Sequence, residues 1–148
     1  MQLKELYYLE KYLIHYLKNF YEINEKKRPS TKDCFFISSH EPCSLCLSAI
    51  TWSGFDNFYY FFPYKETKDK FNIPHDLNIL KEIFKLNNGN YNKTNSYWKS
   101  YSIIDEINKL NNFEKNIIKD NINKIYQEYD ELSKLYQKNK DKNIIPFN

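Results

Sequence analysis

The stretch 33–64 restricts the fold of this chain more than any other part of it. A short apolar run, Cys34-Phe35-Phe36-Ile37, has the aromatic and β-branched content of a buried strand. Ser38, Ser39, His40, Glu41 and Pro42 interrupt that run and place polar groups at its carboxyl end. Proline is tolerated in the first turn of a helix, where its missing N–H has no partner to lose. A helix is therefore expected over 43–52, with Gly54 at the place of a left-handed carboxyl-terminal cap. A second apolar run, Phe58-Tyr59-Tyr60-Phe61-Phe62, reads as the next buried strand. Strand, helix and strand joined by short links make a βαβ unit, which predicts parallel strands and a right-handed crossover.

That unit carries two thiols. Cys43 and Cys46 stand three positions apart in the expected first helical turn, so both point to one side. A helix amino end favours the thiolate form that a metal needs, and zinc takes soft sulfur ligands tetrahedrally. The alternative is a pair of packed core cysteines, since free cysteine is among the most buried residue types.

Glu41-Pro42-Cys43-x-x-Cys46, following a strand and opening a helix, resembles the second half of the zinc site of the cytidine deaminase-like superfamily. That group includes cytidine, deoxycytidylate and guanine deaminases and the tRNA adenosine deaminases. The resemblance runs over residues 11–64. It implies Zn2+ as cofactor, Cys43 and Cys46 as ligands, and a reduced form of the family's three-layer α/β fold. Its members pair the cysteine turn with an upstream His-x-Glu, whose His is the third ligand and whose Glu moves protons for a zinc-bound water.

The upstream half departs from the family pattern. The resemblance puts it roughly thirty residues before the cysteines, near Lys11 to His15. With Lys11 in the His place, Leu13 falls in the Glu place; with His15 there, Leu17 does. His15, the sole histidine ahead of the cysteines, is left as the candidate third ligand, and the general base is missing. Glu10, Glu22 and Glu41 are the nearby carboxylates, with Glu41 a weak catalytic candidate better suited to accepting structural hydrogen bonds. The family domain also opens with a β-hairpin ahead of its first zinc helix, so the resemblance implies an amino-terminally shortened form.

The length suits one domain over 1–148. A net charge of +3 demands neither nucleic acid nor an acidic membrane surface, and Arg28 is the only arginine, so a nucleic-acid partner is not expected. Three cysteines, two of them in a metal-like pair, argue for a reducing compartment. No apolar run approaches the roughly 18 residues of a membrane span, which predicts a soluble, cytoplasmic protein. Two glycines leave no room for a phosphate-binding loop.

Residues 3–23 read as an amino-terminal helix, with Leu3, Leu6, Leu9, Leu13, Leu17 and Phe20 on one stripe and His15 beside it. Residues 65–72 are charged and expected to loop outward, and a helix is expected from Asp76, as its cap, to about Lys85. His75, just before it, comes near the thiols if that loop folds over them. Asn88-Gly89 marks a turn. Residues 98–110 read as a short helix, and Tyr91, Tyr97, Trp98 and Tyr101 either stack on a base or cap the core, the second being the better fit to so aromatic a chain. Residues 112–140 form the longest helical signal, with Ile118, Ile122, Ile125, Tyr129, Leu132 and Tyr136 on one seam. The tail, 143–148, is apolar enough to dock back. Only two strands are legible, which leaves a sheet edge for another copy or a completing partner chain.

Two readings of function follow. The favoured one is a catalytically impaired or silent deaminase-like module that keeps the zinc turn and serves in binding or assembly. The other is an active zinc-dependent hydrolytic deaminase of a nucleoside, nucleotide or nucleobase, of the cytidine or deoxycytidylate type.

Overall fold

The computed structural model describes residues 29–140, and the expected amino-terminal helix with Glu10, His15 and Glu22, like the apolar tail, lies outside them. In chain order the elements are β1 (Phe36–His40), α1 (Ser44–Trp52), β2 (Asn57–Phe62), α2 (Tyr64–Asp69), α3 (His75–Phe84), β3 (Lys99–Ser102), α4 (Ile103–Asn108) and α5 (Asn112–Asn139). The fold is α/β, with a parallel sheet, several helices and a long carboxyl-terminal helix.

The strands lie in the order β1-β2-β3. Both pairings are parallel, with Phe36 opposite Phe58, Ser38 opposite Tyr60, and Phe58 and Tyr60 opposite Ser100 and Ser102. β2 is central, which is why its sequence is a nearly continuous aromatic run. Among the described residues β1 and β3 are the edges, and both contain serines.

Two apolar clusters hold the helices to the sheet. Ile50 of α1 packs with Phe58, Tyr60 and Trp98, supported by Phe36, Leu47, Phe55 and Tyr91. The Trp98 indole N–H donates to Thr51 Oγ1 at 2.8 Å, so the buried ring keeps a polar partner. Phe61 and Phe62, at the carboxyl end of β2, pack with Phe71 against Ile103 and Ile104 of α4 and Ile122, Ile125, Tyr126 and Tyr129 of α5. Phe58 and Phe62 are fully buried.

Three expectations need correction. Residues 98–110 are not one helix: Lys99–Ser102 is a third parallel strand, and Ser102 then caps α4 by accepting the Asp105 N–H. A four-residue edge strand with lysine, serine and tyrosine has no apolar alternation to announce it. Residues 65–72 do not simply loop outward, because Pro63 opens a short helix there and Tyr64 and Thr67 turn inward. Asp76 is not the cap of α3: the helix begins at His75 after Pro74, with Asp76 inside the first turn.

Candidate thiol site at the carboxyl end of the sheet

The end of β1 leads directly into the turn that carries the thiols. Glu41 continues the pairing by donating its N–H to Phe62 O at 2.8 Å. Cys43 then caps α1, with extended backbone (φ −62°, ψ 169°) and its sulfur accepting the Cys46 N–H at 3.4 Å. The two sulfurs converge to 3.2 Å, in hydrogen-bond contact. Cys43 is half-buried and Cys46 exposed. The Cys46 thiol is pushed up to about 11, first by burial and then by the sulfur of Cys43. At neutral pH that thiol keeps its proton.

Parallel α/β sheets bind ligands outside the carboxyl ends of their strands. The thiols occupy that end, between β1 and α1. α3 stands close by, since the Asp76 carboxylate acts electrostatically on both Cys46 and Tyr64. Burial raises Asp76 above the ordinary carboxylate range, with neighbouring His75 acting the other way.

Glu41 sits beneath this turn, 4% exposed. Its Oε2 accepts the Tyr64 N–H at 2.9 Å. Its Oε1 accepts the Tyr91 hydroxyl at 2.8 Å and the Lys93 ammonium. Lys93 also donates to Tyr60 Oη at 3.0 Å and lies over the Tyr60 and Tyr91 rings, 4.9 and 4.5 Å from their centroids. The Tyr64 hydroxyl donates in turn to Pro42 O, within the thiol turn itself. Burial alone would lower Lys93, but hydrogen bonds to Glu41 and Tyr60 outweigh it and the net direction is upward. Tyr91 and Tyr64 are both driven upward by burial and then by the Glu41 charge, so both remain neutral donors. A carboxylate with both oxygens engaged from below is a brace for the turn. With its side chain only 3% exposed, that carboxylate is spent on structural hydrogen bonds.

His40, the last residue of β1, is held elsewhere. Its Nδ1 is 2.9 Å from Thr67 Oγ1, and its ring packs against Phe62, Phe71 and Tyr129. Burial lowers its pKa from the ordinary 6.5. It borders an apolar cleft of about 230 Å³ with Phe71, Ile73, Tyr129, Leu132 and Tyr136.

Among the described residues, then, Cys43 and Cys46 come together as expected from their spacing, but His75 does not join them: no group of three or more His, Cys, Asp or Glu side chains there is arranged to hold a metal ion. The pair fits half of a tetrahedral zinc site, being two soft donors converging from one helix end. Sequence reasoning missed Lys93, Tyr91 and Tyr64 as partners of Glu41. Tyr91 and Trp98 pack on the core, while Tyr97 is exposed and Tyr101 stacks on Tyr59.

The chain was compared with protein-family models, with curated proteins and with solved structures. None of the three gives a match. No helix of the described residues is long and apolar enough to cross a membrane.

Proposed function

We propose that this chain is a deaminase-like, catalytically silent module that holds zinc through Cys43 and Cys46 and works in binding or assembly. The observation that carries this reading is the 3.2 Å convergence of the two sulfurs at the amino end of α1, beside a Glu41 carboxylate that is fully engaged in bracing the turn. Zinc bound there would supply a Lewis acid, or a structural tie if its coordination closes. Cys43 and Cys46 would be the protein ligands among the described residues, with the remaining positions left to water or to a donor from elsewhere, His15 being the candidate from the sequence. The backbone of α1 orients both sulfurs, and Tyr64 fixes Pro42 so that the turn keeps its shape.

General acid–base catalysis contributes about two to four orders of magnitude, and it needs a group within hydrogen-bond reach of the proton. Glu41 is buried and already accepts from Tyr64, Tyr91 and Lys93, which suits it to bracing the turn and not to moving protons. The cytoplasm, where thiols stay reduced, suits such a site. The outer edge of β1 is unpaired among the described residues, and Phe35 and Ile37 stand exposed on the sheet face opposite core-packed Phe36, which supports an assembly role with a second copy of this chain as the first partner to test.

Metal analysis of protein purified without chelator tests the zinc reading: about one zinc per chain is expected, and Cys43→Ser should lose it. Metal-free wild type, refolded with zinc and still empty, would refute the reading. Ammonia release from cytidine, deoxycytidine monophosphate or guanine above the metal-only blank would refute the silent assignment and favour the active enzyme.

A further inference from the structure

The same two sulfurs are placed for a second chemistry that requires no metal. A disulfide needs sulfurs about 2.05 Å apart, whereas two thiolates on one tetrahedral zinc stand about 3.8 Å apart. At 3.2 Å the pair lies between these states, so small side-chain rotations reach either one. Cys43 is the extended residue just ahead of α1 and Cys46 lies in the first turn of that helix, so closure asks that their Cβ atoms come to about 3.5–4.5 Å across a single turn.

The two sulfurs are not equivalent. Cys43 is the half-buried capping residue, and its sulfur accepts the Cys46 N–H. Cys46, one turn into the helix, is exposed and within reach of Cys43. The third thiol, Cys34, precedes β1 at the opposite end of that strand, roughly 20 Å away at 3.3 Å per residue, and cannot compete within the chain.

We propose that Cys43 and Cys46 form a reversible dithiol–disulfide couple that exchanges with small organic disulfides, with Cys43 as the attacking sulfur and Cys46 as the resolving one. In the first step the Cys43 thiolate attacks one sulfur of the incoming disulfide, its S–S bond breaks, and one small thiolate leaves and takes up a proton. In the second step Cys46 gives up its proton and attacks the Cys43 sulfur, forming the intramolecular S–S bond and releasing the second small thiol. Two protein thiols are oxidised, one small disulfide is reduced to two thiols, and no other oxidant is needed. The couple goes beyond the zinc reading and does not depend on it. Where both hold, oxidation removes the two thiolates that a metal would use.

The test uses the full chain, reduced and then stripped of metal with chelator, and oxidised glutathione as the probe, followed by intact-mass measurement and alkylation of remaining thiols. Wild type should lose about 2 Da and two alkylatable thiols, with peptide mapping joining Cys43 to Cys46, and excess reduced glutathione should restore both thiols. Cys46→Ser should instead accumulate a mixed disulfide on Cys43, at least about ten-fold above the level in wild type, because the resolving sulfur is gone. Wild type that stops at a stable glutathione adduct, that forms only interchain disulfides, or that stays reduced at a large excess of oxidised glutathione would overturn the proposal. Because wild type alone decides this, a variant that fails to fold does not obscure the result. Zinc content is measured separately, so failure of either proposal leaves the other readable.

Discussion

Lys93 donates from its ammonium to the buried Oε1 of Glu41, joining residues 52 positions apart. That bond fastens the loop before β3 to the turn that carries Cys43 and Cys46. The Lys93 side chain is 42% exposed and that of Glu41 only 3%, so the two partners have unequal alternatives.

This asymmetry predicts unequal losses. Lys93→Met strands a buried carboxylate on two neutral donors and should lower stability by about 2–3 kcal/mol. Glu41→Gln leaves a lysine that can swing into water, so it should cost less, about 1–2 kcal/mol. Urea unfolding midpoints of the two variants decide the order. An equal or reversed order would mean that the pair is not desolvated as described.

Acidification should destabilise the protein through His40. Burial holds its folded-state pKa below the ordinary 6.5, so above that value the ring is neutral in both states and contributes no pH dependence. Below it the unfolded chain binds a proton that the folded chain refuses, and stability falls by at most about 1.4 kcal/mol per pH unit until the folded value is reached. Urea midpoints measured from pH 7.5 to 5 should show this decline, and His40→Gln should flatten it. Unchanged slopes would place the imidazole in water.

Gly89 should resist any side chain. Its φ is +67°, and an added Cβ would lie 2.6 Å from Cδ2 of buried Tyr64. Left-handed backbone costs an L-residue about 1–2 kcal/mol, and forcing Tyr64 aside costs about 1–3 more. Gly89→Ala is expected to lose about 2–4 kcal/mol, read from the thermal midpoint, and to disturb the Tyr64 hydrogen bonds to Glu41 and Pro42.

The carboxyl-terminal helix begins with a capping box, in which Asn111 Oδ1 accepts the Glu114 N–H at 3.0 Å and Glu114 Oε2 accepts the Asn111 N–H at 3.2 Å. Asn111→Ala should cost about 1 kcal/mol. Phe62→Ala, in the cluster this helix covers, should cost about 3–5 kcal/mol. Trp52, 91% exposed, provides the contrast: Trp52→Ala should stay within about 0.5 kcal/mol of wild type. Urea titration of the three variants tests the ranking.

The elements that were legible share one property, which is that their signals are local. The aromatic run of β2, the helix opened at Cys43 and closed at Gly54 with φ +76°, and the apolar steps of α5 all lie within a few residues of sequence. The misread parts lack such signals. β3 is four residues of an edge strand, and it is a strand because Tyr59 and Tyr60 of β2 offer it a partner, not because Lys99-Ser100-Tyr101-Ser102 alternates. α2 was obscured by its charged residues, although Pro63 and the inward Tyr64 and Thr67 make it a helix.

By itself the sequence determined that two thiols would open a helix after one strand and before its parallel neighbour, because helix periodicity, glycine stop and apolar runs act over a few residues. Tertiary structure alone decided what Glu41 does. A carboxylate's role depends on which donors surround it, and Tyr64, Tyr91 and Lys93 arrive from 23 to 52 positions away. No pattern near Glu41 encodes their arrival. Burial of the turn brings them in, because a desolvated charge there must be met by hydrogen bonds.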